Sequence, residues 1–261
     1  MDILFYIAAG AAVGFAVGIT GVGGGSLMTP ILLLFGFPPQ IAVGTDLLYA
    51  SVTKAGGVIL HRRQGTIRWK IVLTLFCGSI PASLVTVYFL DNVFADSDQY
   101  AQVLTSCLGV MLILTATVLL FKSKLVNGSK TKDTPKAMVA IQNHATWITW
   151  VMGIALGVLV TLSSVGAGAF GAAVLLVIYP RLSSINIIGT DLAHAVPLTL
   201  VAGLGHLFLG NVDFHLLGSL LIGSLPAIYV GTKVGARMPE NIMQPILAST
   251  LFALGIKYAF F

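Results

Sequence analysis

The sequence predicts an all-α membrane protein built from two inverted five-segment repeats, about ten transmembrane segments in all, and three observations carry that reading. Hydrophobic residues make up 57% of the chain and charged residues only 9%, with 29 glycines; such a composition sustains apolar runs of membrane length and close helix packing. The stretch GTDLLYA at Gly44–Ala50 returns as GTDLAHA at Gly189–Ala195, and the same gapless offset of 145 residues lays His61 on His206, Gly65 on Gly210 and GSIPA on GSLPA. Gly21/Gly166 and Gly23/Gly168 extend the register toward the start of each half. Third, the basic residues collect in alternate loops. Two homologous halves in so apolar a chain point to an alternating-access transporter.

The elements follow from apolar runs bounded by charge or turn residues. In the first half these are Ile3 to Thr20, Ser26 to Phe37, Ile41 to Leu60, Trp69 to Leu90 and Tyr100 to Phe121. The second half answers with Thr146 to Leu162, Ala169 to Tyr179, Ile185 to Leu209, Phe214 to Lys233 and Ile242 to Phe261. The organisation is then a first repeat over 1–121, a basic linker over 122–145 and a second repeat over 146–261. The second segment of each half holds only about a dozen residues against the about 20 of a straight helical span, so it either dips partway or crosses as a half-helix.

Charge orients the chain. Arg62, Arg63, Arg68 and Lys70 fall in one loop, Lys122, Lys124, Lys130, Lys132 and Lys136 in the linker, and Arg181, Lys233 and Arg237 at later segment ends; each belongs on the cytoplasmic side. The alternate loops hold Asp91, Asp96 and Asp98, or Asn211 and Asp213, without Lys or Arg. Both termini are therefore expected outside. The loop HRRQGTIRWK reads as inside and its equivalent HLFLGNVDFH as outside, with an odd number of crossings between them, so the repeat is inverted about an axis in the membrane plane. The start, MDILFYIAAGAAVGF, lacks a basic region ahead of its apolar run and corresponds to an internal segment of the second half, so it is expected to stay in the mature protein. The stretch KSKLVNGSKTKDTPK reads as a solvated cytoplasmic tether whose lysines can touch anionic lipid, at about 1 kcal/mol each.

The chemistry is expected where the helices break. Thr20, Gly21, Gly23, Gly24, Gly25 and Ser26 separate a long segment from a short one, and Ser163, Ser164, Gly166, Gly168 and Gly171 do the same in the second half. Backbone N–H groups freed there find no water in hydrocarbon, so such loops are packed in protein or line a polar cavity. The N-terminus of the short helix that follows carries the positive end of a dipole and attracts anions. The bland alternative is that these glycines only permit tight helix crossing.

Asp46 and Asp191 stand at matched positions inside apolar segments. An acid there is costly to ionise, so a coupling proton can ride on it; alternatively each accepts hydrogen bonds from the neighbouring glycine-loop amides and holds the break in place. Two ionised aspartates facing a cavity would oppose an anion and favour a cation. Lys54 follows Asp46 by eight residues, about 80° round the helix; it either balances substrate charge or snorkels to the surface. His194 lies one turn beyond Asp191 and can share its proton, or simply packs. His61 and His206, at segment ends, read as interfacial. Cys77 and Cys107 lie within apolar runs and read as small core residues rather than a disulfide pair.

GITGVGGGSLMTPIL at Gly18–Leu32, the GT-containing helix at Gly44, and HRRQGTIRWK with its GNVDFHLLG echo resemble, in that order, the TauE/SafE family of sulfite exporters. The resemblance covers about residues 7 to 257 and implies a bacterial plasma-membrane transporter of sulfite, sulfoacetate or another sulfur-containing anion. Where the family more often has a small polar residue after GT, this chain has Asp46 and Asp191.

Three function classes remain: a secondary transporter of a small sulfur-containing anion, a cation or metal transporter using Asp46, Asp191 and His194, and an intramembrane enzyme. The last is weak, because neither half offers a nucleophile with an adjacent base or an H-E-x-x-H motif. No phosphate-binding loop for ATP and no nucleic-acid module appear, and no cofactor is expected. The expected partners are a small anion, membrane lipid and, as an open possibility, further copies of the chain.

Overall fold

A computed structural model describes residues 3–20, 25–93, 97–128, 144–235 and 240–260. Among these the chain is helical throughout, with no strand. The helices are α1 (Ile3–Thr20), α2 (Gly25–Leu34), α3 (Pro39–Arg63), α4 (Trp69–Val93), α5 (Ser97–Gly128), α6 (Ala145–Ser163), α7 (Ala169–Ile178), α8 (Ser184–Phe208), α9 (Phe214–Gly235) and α10 (Glu240–Phe260). Five of them, α4, α5, α6, α8 and α9, have described stretches long and apolar enough to cross a membrane. Helix α5 runs on to Gly128, so Lys122 and Lys124 extend a helix instead of opening a coil. Lys130, Lys132 and Lys136 lie outside the described residues.

The ends of α3 and α8 are built alike. Gly65 (φ 66°) and Gly210 (φ 76°) take left-handed dihedrals, and the next amide folds back on the helix: Thr66 N donates to His61 O at 3.1 Å and Asn211 N to His206 O at 2.9 Å. A side chain at either glycine would be strained, which explains why the stop signal is repeated.

Helices α2 and α7, of 10 residues each, are about 15 Å long at 1.5 Å per residue, half a hydrocarbon core. Their far ends lie beside the first turns of the helices that precede them. Phe35 and Phe37, just beyond α2, meet Phe5 and Tyr6 of α1 with ring centroids 4.8 and 5.6 Å apart. Tyr179, just beyond α7, hydrogen-bonds Thr149 of α6 at 2.9 Å. Each pair is a hairpin, with both of its ends on the same side.

The packing is reciprocal. Helix α1 lies on α9 and α6 on α4, while α3 pairs with α8 and α5 with α10. Gly10 and Gly14 bring α1 against the backbone of Leu220 and Ser224, and Gly153 and Gly157 bring α6 against Leu75 and Ser79. Where lipid tails are as apolar as any side chain, such small-residue contacts hold helices together by close approach. These pairs also correct the register: from α3 to α9 equivalent contacts are 145 residues apart, but in α1 and α6 they are 143 apart, since the break and the loop after the short helix are each one residue longer in the second half. A core of Leu47, Leu75, Leu156, Leu175, Ile187 and Leu198 joins α3, α4, α6, α7 and α8. Cys77 is exposed on the outer face of α4 and Cys107 half-buried; the core placement expected for Cys77 does not hold, because apolar runs in such a chain cover the outside as well.

Candidate functional site

The break after α6 is a compact turn. Ser164 closes the helix in a left-handed conformation (φ 58°), its amide on Val160 O at 2.8 Å. Gly166 (φ 125°) and Gly168 (φ 138°) occupy dihedrals open in practice only to glycine. The first turn of α7 is then knitted to the loop: Gly171 N donates to Gly166 O and Ala172 N to Gly168 O, both at 2.9 Å. The Ser163 hydroxyl is used locally, donating to Leu159 O at 2.6 Å, whereas the buried Ser164 hydroxyl has no hydrogen-bond partner. Among the described residues, no loop or neighbouring acceptor takes the amides of Ala169 and Phe170, which open α7.

Two acids and a lysine converge here. The Gly168 amide faces Asp191 of α8, whose Oδ1, without a partner, lies where a Cβ on Gly171 would have to sit. Asp46 of α3 accepts the amide of Thr29 in α2 at 3.1 Å and also the Thr29 hydroxyl; the Ser164 side chain faces it, while its Oδ1 has no hydrogen-bond partner. Lys54, buried at 4% exposure, reaches from α3 to the second break and donates to Ala167 O at 2.9 Å. Its charge acts on both carboxylates. The snorkelling alternative for Lys54 is overturned: the side chain turns inward, where a carbonyl and two acids offset its desolvation.

The aspartates are not equivalent, although their positions are. Thr29, the partner of Asp46, aligns with Ala173 when the two short helices are superposed end to end, and Lys54 aligns with Thr199, so this buried cation comes from one half alone. His194 does not share a proton with Asp191. Its Nε2 pairs with the Ser79 hydroxyl of α4 at 2.8 Å and its ring lies against Phe76, because one helical turn carries it to the α4 side of α8. His206 is fully buried, with Nε2 on Thr161 O at 2.9 Å, not interfacial as expected, since α8 is covered by α6 at that end. His61 is half-buried on Thr66.

Several polar contacts recur in exchanged pairs. Arg68 N donates to Thr190 Oγ1 at 3.0 Å and Asp213 N to Thr45 Oγ1 at 3.2 Å; each donor opens a helix in one half and each acceptor lies in the other. Gly189 lets the His61 ring and the Thr66 hydroxyl come close, and Gly44 does the same for His206 and Asn211. Ser79 meets His194, and Ser224 faces Tyr49, the residue at the position matching His194. The repeated GT is thus a docking point for the other half's loop. Thr29, Ser79, Ser224 and Tyr49 were not singled out from the sequence; only the 145-residue alignment of Tyr49 with His194 and Ser79 with Ser224 hinted at the last three.

Of the residues expected at the first break, Gly21, Gly23 and Gly24 lie outside the described residues. Thr20 ends α1, and Gly25 and Ser26 open α2. In the second break, Ser164, Gly166, Gly168 and Gly171 surround the Asp191–Lys54 region, with Ser163 one residue behind. Among the described residues no group of three His, Cys, Asp or Glu gathers as a metal site would require.

Residues 6–258 match the family described as sulfite exporter TauE/SafE. The chain belongs to that family. Among curated members and relatives, the probable membrane transporter protein YjnA of Bacillus subtilis (strain 168) is 36% identical over 248 residues, 95% of this chain and 96% of its own. The probable membrane transporter YdhB of the same organism is 28% identical over the same shares, and MJ0441 of Methanocaldococcus jannaschii is 26% identical over 94% of this chain and 92% of its own. No solved structure matches the chain. The TauE/SafE match agrees with a multi-pass membrane transporter, and the cited relatives carry transporter names rather than enzyme names.

Proposed function

We propose that this chain is a secondary transporter of a small sulfur-containing anion, sulfite, sulfoacetate or a related organosulfonate, working by alternating access in the direction of export. The observation that carries the reading is the reach of Lys54 across to the second break, which sets one buried cation beside the opening amides of α7 and the unpartnered Ser164 hydroxyl. A sulfonate or sulfite presents several oxygens on one centre; backbone amides, hydroxyls and an ammonium replace its hydration shell without a reorganisation cost. In this reading Gly21, Gly23, Gly24, Gly25, Thr20 and Ser26 form the matching half of the site. The family description supports both the substrate class and the direction.

The reciprocal contacts support a twofold relation between the halves, because every exchanged pair swaps donor half and acceptor half. Loop charges support an axis in the membrane plane, with both termini outside and the linker cytoplasmic, and the family resemblance supports a bacterial plasma membrane as the location. Rocking of one half on the other then opens the site to each side in turn. Asp46 and Asp191 carry the coupling protons, their unshared oxygens being free to take them.

Those same two oxygens favour a second reading, a cation carried between the acids. A ligand screen on the purified protein separates the two: sulfite, sulfoacetate, other organosulfonates, carboxylates and divalent cations are added in turn, and only the carried ligand raises the unfolding midpoint. Stabilisation by divalent cations and by none of the sulfur anions would sink the anion reading.

A further inference from the structure

A cavity of about 760 Å3 opens away from the substrate region, between the start of α4, the start of α6 and the loop that follows α7. Three cations line it, Arg68, Lys70 and Arg181, all exposed, and none of them has an ion-pair partner among the described residues. Asn186, with its amide turned so that its nitrogen donates to Thr66 O, accepts from the Ser183 hydroxyl and from the Arg68 guanidinium at 3.0 Å and holds that group in place from the first turn of α8. The remaining wall is apolar, with Ile67, Ile71 and Leu182 below the charges. Trp69 lines the rim at 50% exposure, and Trp147 and Trp150 stack nearby with centroids 4.9 Å apart; tryptophans of this kind mark the headgroup level of a bilayer.

We propose that this cleft is a binding site for an anionic phospholipid of the leaflet it opens into. The phosphate rests on Arg68, Lys70 and Arg181, and the acyl chains run along the apolar lining of Ile67, Ile71 and Leu182. A cleft with cations at one end and hydrocarbon at the other fits an amphiphile better than a small anion, which would leave the apolar wall uncovered. The polypeptide leading into Ala145 carries Lys130, Lys132 and Lys136 and is a poor occupant on charge. The related position in the other half has no such design: Arg68 aligns with Asp213, Lys70 with His215 and Arg181 with Gly36. The site is therefore one-sided, and the lipid it holds clamps α4, α6 and α7 together at one membrane face only.

The test uses the full chain in nanodiscs of phosphatidylcholine, alone or with phosphatidylglycerol, with thermal unfolding and native mass spectrometry of retained lipid as readouts. Phosphatidylglycerol should raise the midpoint and be retained, and R68Q/K70Q/R181Q should abolish both effects. Each charge removed should weaken retention about fivefold, the factor that corresponds to about 1 kcal/mol per basic residue. R62Q/R63Q, which removes two charges from the last turn of the adjoining α3, should leave retention within about twofold of the native chain, taking about 1 kcal/mol per residue as the value for contact alone. Inorganic phosphate or glycerol phosphate giving the full stabilisation would make this a small-anion site and overturn the proposal. Equal loss in R62Q/R63Q would reduce it to diffuse attraction and overturn it likewise. Should the triple variant fail to fold, R181Q alone, in an exposed loop, carries the test: unchanged lipid retention rejects the site.

Discussion

The two threonines of the repeated GT offer a quantitative test of the reciprocal architecture. Thr45 and Thr190 are both fully buried and each accepts a backbone amide from the loop that opens a helix of the other half, Asp213 N at 3.2 Å and Arg68 N at 3.0 Å. Thr→Val keeps the shape and removes the acceptor, leaving an amide at a helix start unsatisfied. That costs about 1–3 kcal/mol when the group is buried; Arg68 is solvent-facing beyond its amide, so the lower part of the range, about 1–2 kcal/mol per site, is expected. For a chain of this size that corresponds to a fall of roughly 2–4 °C in midpoint per kcal/mol. Thr45→Val and Thr190→Val are made singly and together, with Thr→Ser controls that retain the oxygen, and thermal unfolding is followed in one detergent. The two sites share no partner, so the double variant should show the sum within about 0.5 kcal/mol. If either Val variant unfolds with its native midpoint, or Ser is as damaging as Val, the exchanged hydrogen bonds do not hold the halves together and the reasoning fails.

Three further outcomes follow from the site. Lys54→Met should abolish sulfur-anion stabilisation, since a charge-assisted hydrogen bond is worth about 1.5–3 kcal/mol, tenfold or more in Kd; retained binding in an isothermal titration would remove Lys54 from the site. Gly171→Ala drives a Cβ into Asp191 Oδ1 and should cost about 1–3 kcal/mol as overpacking, with loss of liposome flux, while Gly56→Ala, with open space around it, should be neutral or gain up to about 1 kcal/mol of helix propensity. Replacing both Asp46 and Asp191 by Asn should remove the dependence of flux on a pH gradient; a dependence that survives would reject proton coupling through them.

The hairpins show why some of the fold was readable in one dimension. Membrane helices declare themselves by the length of apolar runs, and the short runs at Ser26–Phe37 and Ala169–Tyr179 were visible as short; that they turn back follows only from Phe5 meeting Phe35 and Thr149 meeting Tyr179. The aspartates stood out because a carboxylate in an apolar run is costly. Lys54 also stood out, but its direction did not, since a flexible side chain on a helix can reach either way and only the approach of Ala167 decides it.

Composition, internal duplication and loop charge were thus sufficient for class, segment count and the positions of the two breaks, because hydrocarbon forces every backbone group to be satisfied within helices and so makes one-dimensional patterns faithful. The partners of Asp46, the turning of His194 toward Ser79 and the burial of His206 depended on which helix lies across from which, a choice made by glycine contacts such as Gly14 on Ser224 and Gly157 on Ser79. Those contacts join residues about 80 to 210 positions apart in the chain, a separation over which neighbouring-residue periodicity carries no information.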